Sequence, residues 1–390
     1  MEERPVEQGP LEMGPMGEGP RDDRPLEKGP GVRRSLERRS LAKGPRGRGA
    51  ASNPPNRFEP LAFLPDPAER DPEDPGPATR FYRDATRTIL ARNESPDVGF
   101  EVSVNPYRGC EHGCIYCYAR PTHEYLGFSA GLDFETRILV KEDAPEVLRR
   151  ALLSPSWRPQ PIALSGVTDP YQPAERRLRI TRRCLEVLAE FRNPVAIVTK
   201  NHLVTRDVDL LAELARHEAA SVLLSVTTLD PRLQRVMEPR TSVPARRLAA
   251  IETLARAGVP VGVMVAPIIP GLNDHEVPAI LEAAAAAGAR FAGRTLLRLP
   301  YAVKDLFVEW LERHFPERKE KVLHRIREVR GGRLNETEFY RRMRGAGEYA
   351  EQIHALFAAA CRKAGLDRGW PALSTAAFRR PAPGGQLALF

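Results

Sequence analysis

The sequence predicts an α/β chain: a partial parallel (β/α)6 barrel with a basic helical C-terminal extension and a disordered N-terminal tail. Three observations predict it. Residues 101–300 alternate short apolar runs with amphipathic helical stretches. Gly258 and Gly288 stand where two of those helices should stop. A loop holding three cysteines follows the first apolar run, and parallel barrels gather functional residues at the C-terminal ends of their strands. An open doubly wound sheet would show the same alternation; the placement of the loop favours the barrel.

Residues 1–55 repeat Gly-Pro units among mixed charges, with little aromatic or β-branched content to offset the cost of ordering the backbone, so they read as a disordered tail. Residues 56–100 remain proline-rich, but Phe58, Phe63, Phe81 and Tyr82 are anchors for a lead-in that wraps the core, with a short helix over 83–90. In the barrel, residues 101–300, the first run is 100–104, and further strands are expected at 161–165, 195–199, 221–226, 259–266 and 294–299. Helices are expected between them at 144–153, 175–191, 206–216, 244–257 and 275–287. Residues 301–370 form the basic helical region, and 371–390 a flexible tail rich in proline and glycine.

The 390 residues are 42% hydrophobic and 28% charged, which suits a globular chain. No apolar run is long enough to cross a bilayer, and the N-terminus lacks the apolar core of a signal peptide, so no membrane role and a cytoplasmic location are expected. Five cysteines, three of them in one loop, are not a disulfide framework. Residues 313–380 carry 16 Lys/Arg against 8 Asp/Glu and hold the whole net charge of +8. A basic region of that kind suits a polyanion, with DNA the expected partner; the plainer alternative is a solvated arginine-rich helical face.

The loop reads Arg108-Gly-Cys110-Glu-His-Gly-Cys114-Ile-Tyr116-Cys117-Tyr118, a C-x3-C-x2-C spacing. Thiolates suit soft iron, and Cys110, Cys114 and Cys117 supply three ligands to a 4Fe–4S cube with four iron corners, leaving one iron open for a small molecule. A structural zinc site usually takes four protein ligands, and the remaining cysteines, Cys184 and Cys361, are isolated in sequence.

This spacing resembles the radical S-adenosylmethionine (SAM) superfamily. The resemblance implies a barrel of radical SAM type, a 4Fe–4S cluster and SAM as cofactors, formation of a 5′-deoxyadenosyl radical, and an electron donor of flavodoxin or ferredoxin type. Motifs at later strand ends resemble the spore photoproduct lyase-like branch: residues 163–170 (ALSGVTDP), 197–200 (IVTK), 225–227 (SVT), 237–240 (MEPR) and 265–268 (VAPI). The branch implies a role for each. Tyr116 walls the cluster and the SAM adenine; Thr168 binds polar groups of SAM; Lys200 meets its carboxylate; Ser225 binds ribose or carboxylate; Ala266 offers backbone to adenine. Glu238 and Arg240 are expected to pair with each other or to reach substrate, with Arg240 as a candidate catalytic residue. Asp169 is expected to cap the following helix or to accept a bond from substrate or SAM. Photoproduct lyases carry a hydrogen-donating cysteine where this chain has Gly166, so Tyr118, beside the cluster, becomes the candidate radical relay. Cys184, on an apolar helical pattern, reads as core.

The chain's final residues, Gln386-Leu387-Ala-Leu389-Phe390, resemble the peptide that docks bacterial DNA-metabolism proteins on the replicative sliding clamp. Gln386 supplies amide hydrogen bonds, and Leu387, Leu389 and Phe390 fill apolar pockets. The leading expectation is therefore a radical SAM enzyme acting on a damaged or modified DNA base, a lyase-like DNA repair activity. The alternatives are a radical SAM enzyme modifying RNA or protein, or a clamp-recruited iron–sulfur DNA-binding or sensor module.

Overall fold

The computed structural model describes residues 44–58, 78–164 and 166–381. The candidate clamp peptide and residues Phe63 and Ser165 lie outside them.

A small sheet pairs β1 (Arg80–Arg83) and β4 (Tyr107–Arg108) with the two edges of β5 (Arg137–Val140). The main sheet begins at the edge strand β2 (Leu90–Arg92), antiparallel to β3 (Val102–Val104). It continues in parallel through β6 (Ile162–Leu164), β7 (Val195–Thr199), β8 (Ala220–Ser225), β9 (Val261–Ile268) and β10 (Ala292–Leu296). From β3 to β10 the spatial order follows the sequence order without reversal. A doubly wound sheet reverses at a switch point; this sheet winds one way, as a partial barrel does.

Helices α1 (Leu132–Thr136) and α2 (Ala144–Leu153) follow the cysteine loop, then α3 (Glu175–Leu178) and α4 (Ile180–Phe191). Helices α5 (Val208–Ala215), α6 (Pro231–Met237), α7 (Pro244–Arg256) and α8 (Val277–Ala286) complete the barrel connections. The expected ranges of β7 and α2 coincide with the observed ones. The expected helix 175–191 is broken at Arg179, where φ is +52°. The cause is Glu175, whose buried carboxylate takes the Thr181 amide at 3.0 Å and the Tyr107 hydroxyl and so turns the chain.

Three expectations are corrected. The short helix over 83–90 does not form: the Asp84 amide bonds Val140 O at 2.8 Å, and its carboxylate accepts the Thr86 amide at 3.0 Å, a local turn that outcompetes a helix. Residues 44–55, expected in the unpacked tail, lie on the core: the Gly49 and Ala50 amides donate to the Glu135 carboxylate at 3.0 and 2.8 Å, and Ala50 is buried. Residues 371–381, expected as flexible, are docked along the barrel. The Ser374 amide bonds Glu218 O, the Arg379 amide bonds Phe191 O, each at 2.9 Å, and the Phe378 ring lies against Phe191.

The C-terminal region contains α9 (Val303–His314), α10 (Lys319–Glu328), the short α11 (Arg341–Arg344) and α12 (Glu348–Ala364). Helix α9 brings Phe307 and Trp310 under the cysteine loop, where they join Ile115, Tyr116, Met237 and Leu299 in a second apolar core. The Trp310 indole N–H is satisfied by Val236 O at 2.9 Å. The loop thus rests on a packed floor. Among the described residues no helix is long and apolar enough to cross a membrane.

Candidate active site

A cavity of about 490 Å³ opens at the C-terminal ends of the parallel strands. Cys110, Cys114 and Cys117 line it, together with Tyr116, Tyr118, Thr168, Lys200, Ser225 and Ala266. The ends of four strands, β6 to β9, and one loop therefore bring residues spread over 157 positions of sequence to one wall, Cys110 to Ala266 being the span.

The loop owes its path to two glycines. Gly109 (φ +81°) and Gly113 (φ +67°) adopt a left-handed backbone that side chains disfavour. A Cβ at Gly113 would meet Glu135 Oε2 at 2.7 Å, and one at Gly109 would meet both His123 and Ile138 at 3.0 Å. Arg120, fully buried, staples the loop: it donates to Cys114 O at 3.0 Å, to Ala130 O and Gly131 O, and pairs with Glu135. Gln172 closes the other side, accepting from the Glu111 amide at 3.0 Å and donating to Gly109 O at 3.1 Å. Sequence reasoning missed Arg120, Glu135 and Gln172, since each acts through contacts distant along the chain or with backbone.

Burial raises the thiols of Cys110, Cys114 and Cys117 above their ordinary range, so they need a cationic partner to ionise. Among the described residues no three His, Cys, Asp or Glu side chains are grouped closely enough to hold a single metal ion. Three thiols around one cavity, without an imidazole or carboxylate completing a small cage, fit a bulky iron–sulfur cluster better than a lone zinc ion.

Lys200 reaches over the cavity. Its ammonium bonds Ala266 O at 3.3 Å, lies 5.8 Å from the centre of the Tyr116 ring, and keeps donors available for an incoming anion. Its backbone is fixed by Asp169, which accepts the Lys200 amide at 2.8 Å, the Thr199 hydroxyl at 2.7 Å and the Tyr171 amide at 2.9 Å. Burial alone would raise the Asp169 carboxyl, but His112 at 3.4 Å and these donors outweigh it and hold the carboxyl below its usual range. Asp169 therefore orders the ends of β6 and β7. Ser225 lines the cavity with no side-chain partner among the described residues. The Thr168 hydroxyl instead donates to Tyr107 O at 3.0 Å, which leaves only its lone pairs for a ligand.

The pairing expected between Glu238 and Arg240 is absent. Glu238 is fully buried and binds the Arg247 guanidinium, the Tyr116 hydroxyl and the Thr227 hydroxyl, the last at 2.7 Å. Burial pushes its carboxyl up, but Arg247 and Lys200 pull harder, and the result is a pKa of about 2. Arg240, expected as catalytic, does not line the cavity. It pairs with Glu111 at 3.0 Å and steadies the cysteine loop from outside, its amide bonding His112 O at 3.2 Å.

The other side of the cavity is formed by Asn93, Ser95, Arg298, Arg342 and Met343. The Tyr118 hydroxyl donates to Gly166 O at 3.0 Å, and the Arg298 guanidinium lies 5.8 Å from the Tyr118 ring. Among the described residues Arg298 has no carboxylate in ion-pair reach and its buried Nε has no hydrogen-bond acceptor, while its Nη1 meets the Met343 sulfur at 3.6 Å. Burial, then Arg342, lower its pKa.

The radical SAM superfamily family model matches residues 104–284, which include the cysteine loop and the ends of β6 to β9. An uncharacterized protein of Mycobacterium tuberculosis is 41% identical over 244 residues, covering 61% of this chain and 71% of its own. The chain belongs to the radical SAM superfamily. Like other members of this superfamily it uses a 4Fe–4S cluster and SAM. A radical SAM Nalpha-GlyT isomerase of Pseudomonas phage M6 is 24% identical over 312 residues, covering 79% of this chain and 60% of that protein. Among solved structures, a cysteine-to-serine mutant of spore photoproduct lyase superposes with a TM-score of 0.52 at 17% identity, covering 74% of this chain and 80% of that one. Spore photoproduct lyase complexed with dinucleoside spore photoproduct gives 0.51 at 16% identity, with the same coverage. At that identity the likeness establishes the shared fold of this radical SAM chain.

Proposed function

We propose that this radical SAM enzyme acts on a base in DNA. The observation that carries the reading is Arg298: a cavity-lining, partly desolvated guanidinium with no carboxylate in ion-pair reach among the described residues, its Nη1 meeting only the weak Met343 sulfur acceptor. An uncompensated cation there asks for an anion from the substrate, and a nucleotide brings a phosphate together with an oxidisable carbon skeleton. The basic helical region and the fold shared with spore photoproduct lyase support the same substrate class.

When bound, the cluster and SAM supply a one-electron reductive cleavage that yields a 5′-deoxyadenosyl radical. The chain's own residues do the rest. Cys110, Cys114 and Cys117 hold the cluster. Lys200 meets the SAM carboxylate, Ser225 offers its free hydroxyl, and Tyr116, locked by Glu238, forms a flat wall. Arg298 orients the substrate phosphate. Tyr118 holds a phenolic hydrogen atom at Gly166, the place of the lyase cysteine in the related branch, and serves as relay.

The peptide containing Gln386, Leu387, Leu389 and Phe390 is proposed to dock on the sliding clamp. Binding of a purified clamp by the full chain, lost when residues 386–390 are deleted, checks this.

Anaerobic incubation of the reconstituted, reduced protein with SAM and ultraviolet-irradiated spore-type DNA tests the main reading. The measurement is 5′-deoxyadenosine and DNA bases together, by mass spectrometry. Loss of thymine photoproduct supports lyase-type repair without a cysteine at position 166. Deoxyadenosine formed with no change in this or other modified DNA sends the substrate assignment elsewhere, and an intact cluster without SAM cleavage returns the chain to the sensor reading.

A further inference from the structure

We propose that the segment Phe339–Arg344, at the rim of the cavity, grips an unstacked single strand of DNA, its aromatic rings taking bases and its arginines taking phosphates. The inference rests on the DNA reading above and adds the surface that would hold the strand.

Four observations carry it. Arg342 and Met343 line the cavity, so the segment belongs to its mouth. The two residues before α11, Phe339 and Tyr340, are 48% and 61% exposed, an adjacent pair of rings at that mouth, with the Arg342 guanidinium 4.4 Å from the centre of the Phe339 ring on one face. Tyr340 has φ +62° and ψ −49°, a conformation costly for a bulky side chain. Such strain persists only where the surroundings impose it, and here they do. The buried Asp97 carboxylate accepts the Tyr340 amide and pairs with Arg342, while the Arg342 guanidinium also bonds Ser95 Oγ at 2.6 Å. The presentation of the rings is therefore built in from the lead-in segment, across 243 positions of sequence. Finally, the flanking cations are available. Arg344 is exposed without a carboxylate partner among the described residues, and Arg341 has only an exposed pairing with Glu338 at 3.1 Å, worth little in water.

A solvated arginine face needs neither strained backbone nor two neighbouring exposed aromatics. Stacking on aromatic rings beside backbone-tracking arginines is the chemistry by which proteins hold single-stranded nucleic acid with little sequence preference. It also matches the need of base chemistry for a nucleotide that has left its stack. Arg298, deeper in the cavity, would take the phosphate of the nucleotide that enters.

Fluorescence anisotropy of the full chain, cluster-loaded and without SAM, with a dye-labelled mixed-sequence DNA single strand tests the assignment over a salt series. Replacing both rings (Phe339→Ala with Tyr340→Ala) should weaken binding about tenfold or more while leaving the slope of log affinity against log salt intact. Replacing both cations (Arg341→Gln with Arg344→Gln) should flatten that slope by about 1.4, two phosphate contacts on a single strand. Arg256→Gln, at the end of α7 where the strands begin, should do neither. Phe339→Leu with Tyr340→Leu keeps apolar bulk and removes only the rings; it should weaken binding like the alanine pair, with cluster absorbance and circular dichroism verifying that the fold is kept. Wild-type affinity and slope in both ring and arginine variants would overturn the rim assignment and leave the DNA reading standing. Failure of the wild-type chain to bind DNA at low salt would overturn both.

Discussion

The Tyr118 hydroxyl stands 3.0 Å from the carbonyl oxygen of Gly166, so a phenol of the cysteine loop reaches the loop that follows β6. The glycine is also enforced. A Cβ at position 166 would lie 2.7 Å from Ser103 Oγ and 2.8 Å from its Cβ. The chain has no room for a cysteine there, and in the proposed mechanism Tyr118 is the hydrogen-bearing group.

Tyr118→Phe is therefore expected to uncouple the reaction. Deoxyadenosine should still form, while altered product per deoxyadenosine falls about tenfold or more, since a relay hydrogen is missing. Deuterium incorporation from solvent into product, lost in the variant, distinguishes a relay from a wall; unchanged coupling would remove Tyr118 from the mechanism. The companion variant Gly166→Cys should not restore turnover and should cost about 1–3 kcal/mol of stability, as overpacking does.

Cluster ligation separates the five cysteines. Cys110→Ala, Cys114→Ala and Cys117→Ala should each abolish the iron–sulfur absorbance and SAM cleavage together. Cys184→Ala should leave iron content intact, because Cys184 is buried in the apolar face of α4 and does not line the cavity. Iron and sulfide analysis beside thermal melting reads both outcomes.

Glu238 contributes a pH dependence. Its folded pKa, about 2, lies below the ordinary glutamate value near 4.3, so the carboxylate is more favourable in the folded chain. That stabilisation is fully present above about pH 4.3 and is lost as pH falls through the folded value near 2. The stability difference between the wild type and Glu238→Gln should thus shrink as pH is lowered from 6 toward 3. Arg247→Ala, which strands the buried carboxylate, should cost about 3–5 kcal/mol near neutral pH. Denaturant titrations across this range provide the check, and a difference independent of pH would deny Glu238 its charged state.

The two cations named together from sequence should now behave differently. Lys200 lines the cavity proposed to take SAM, and Lys200→Ala should raise the KM for SAM about tenfold or more. Arg240→Ala loses a partly exposed pair with Glu111 and should mainly loosen the loop, seen as faster cluster loss under chelator with KM little changed. Steady-state SAM cleavage and chelator challenge separate the two.

Strand ends and the cysteines that line the cavity were legible because their signals are local: three cysteines at short spacing, and apolar runs bounded by turn residues. Lys200, Ser225 and Ala266 line the expected cavity for the same reason, each closing a strand or lying within its last residues. What stayed illegible depends on contacts between distant segments. Glu238 takes Arg247, not Arg240, because α7 folds back beneath β8, a fact no spacing encodes. Arg120 reads as an ordinary surface arginine until its carbonyl acceptors assemble around it. The Gly-Pro composition of the first 55 residues hid the short stretch that Glu135 binds, since two backbone amides leave no mark on side-chain identity.

That stretch sets a limit on shortening the protein. Glu135 is completely buried, and of its hydrogen-bond donors Arg120 directly follows the loop while the Gly49 and Ala50 amides arrive from the N-terminal side. Trimming through residue 55 in search of a tidier globule would remove those two donors and expose the back of Gly113. A cut ahead of residue 44 spares them. The difference of a dozen residues should appear at the bench as colour: brown protein that keeps its iron through purification, against pale protein that sheds it.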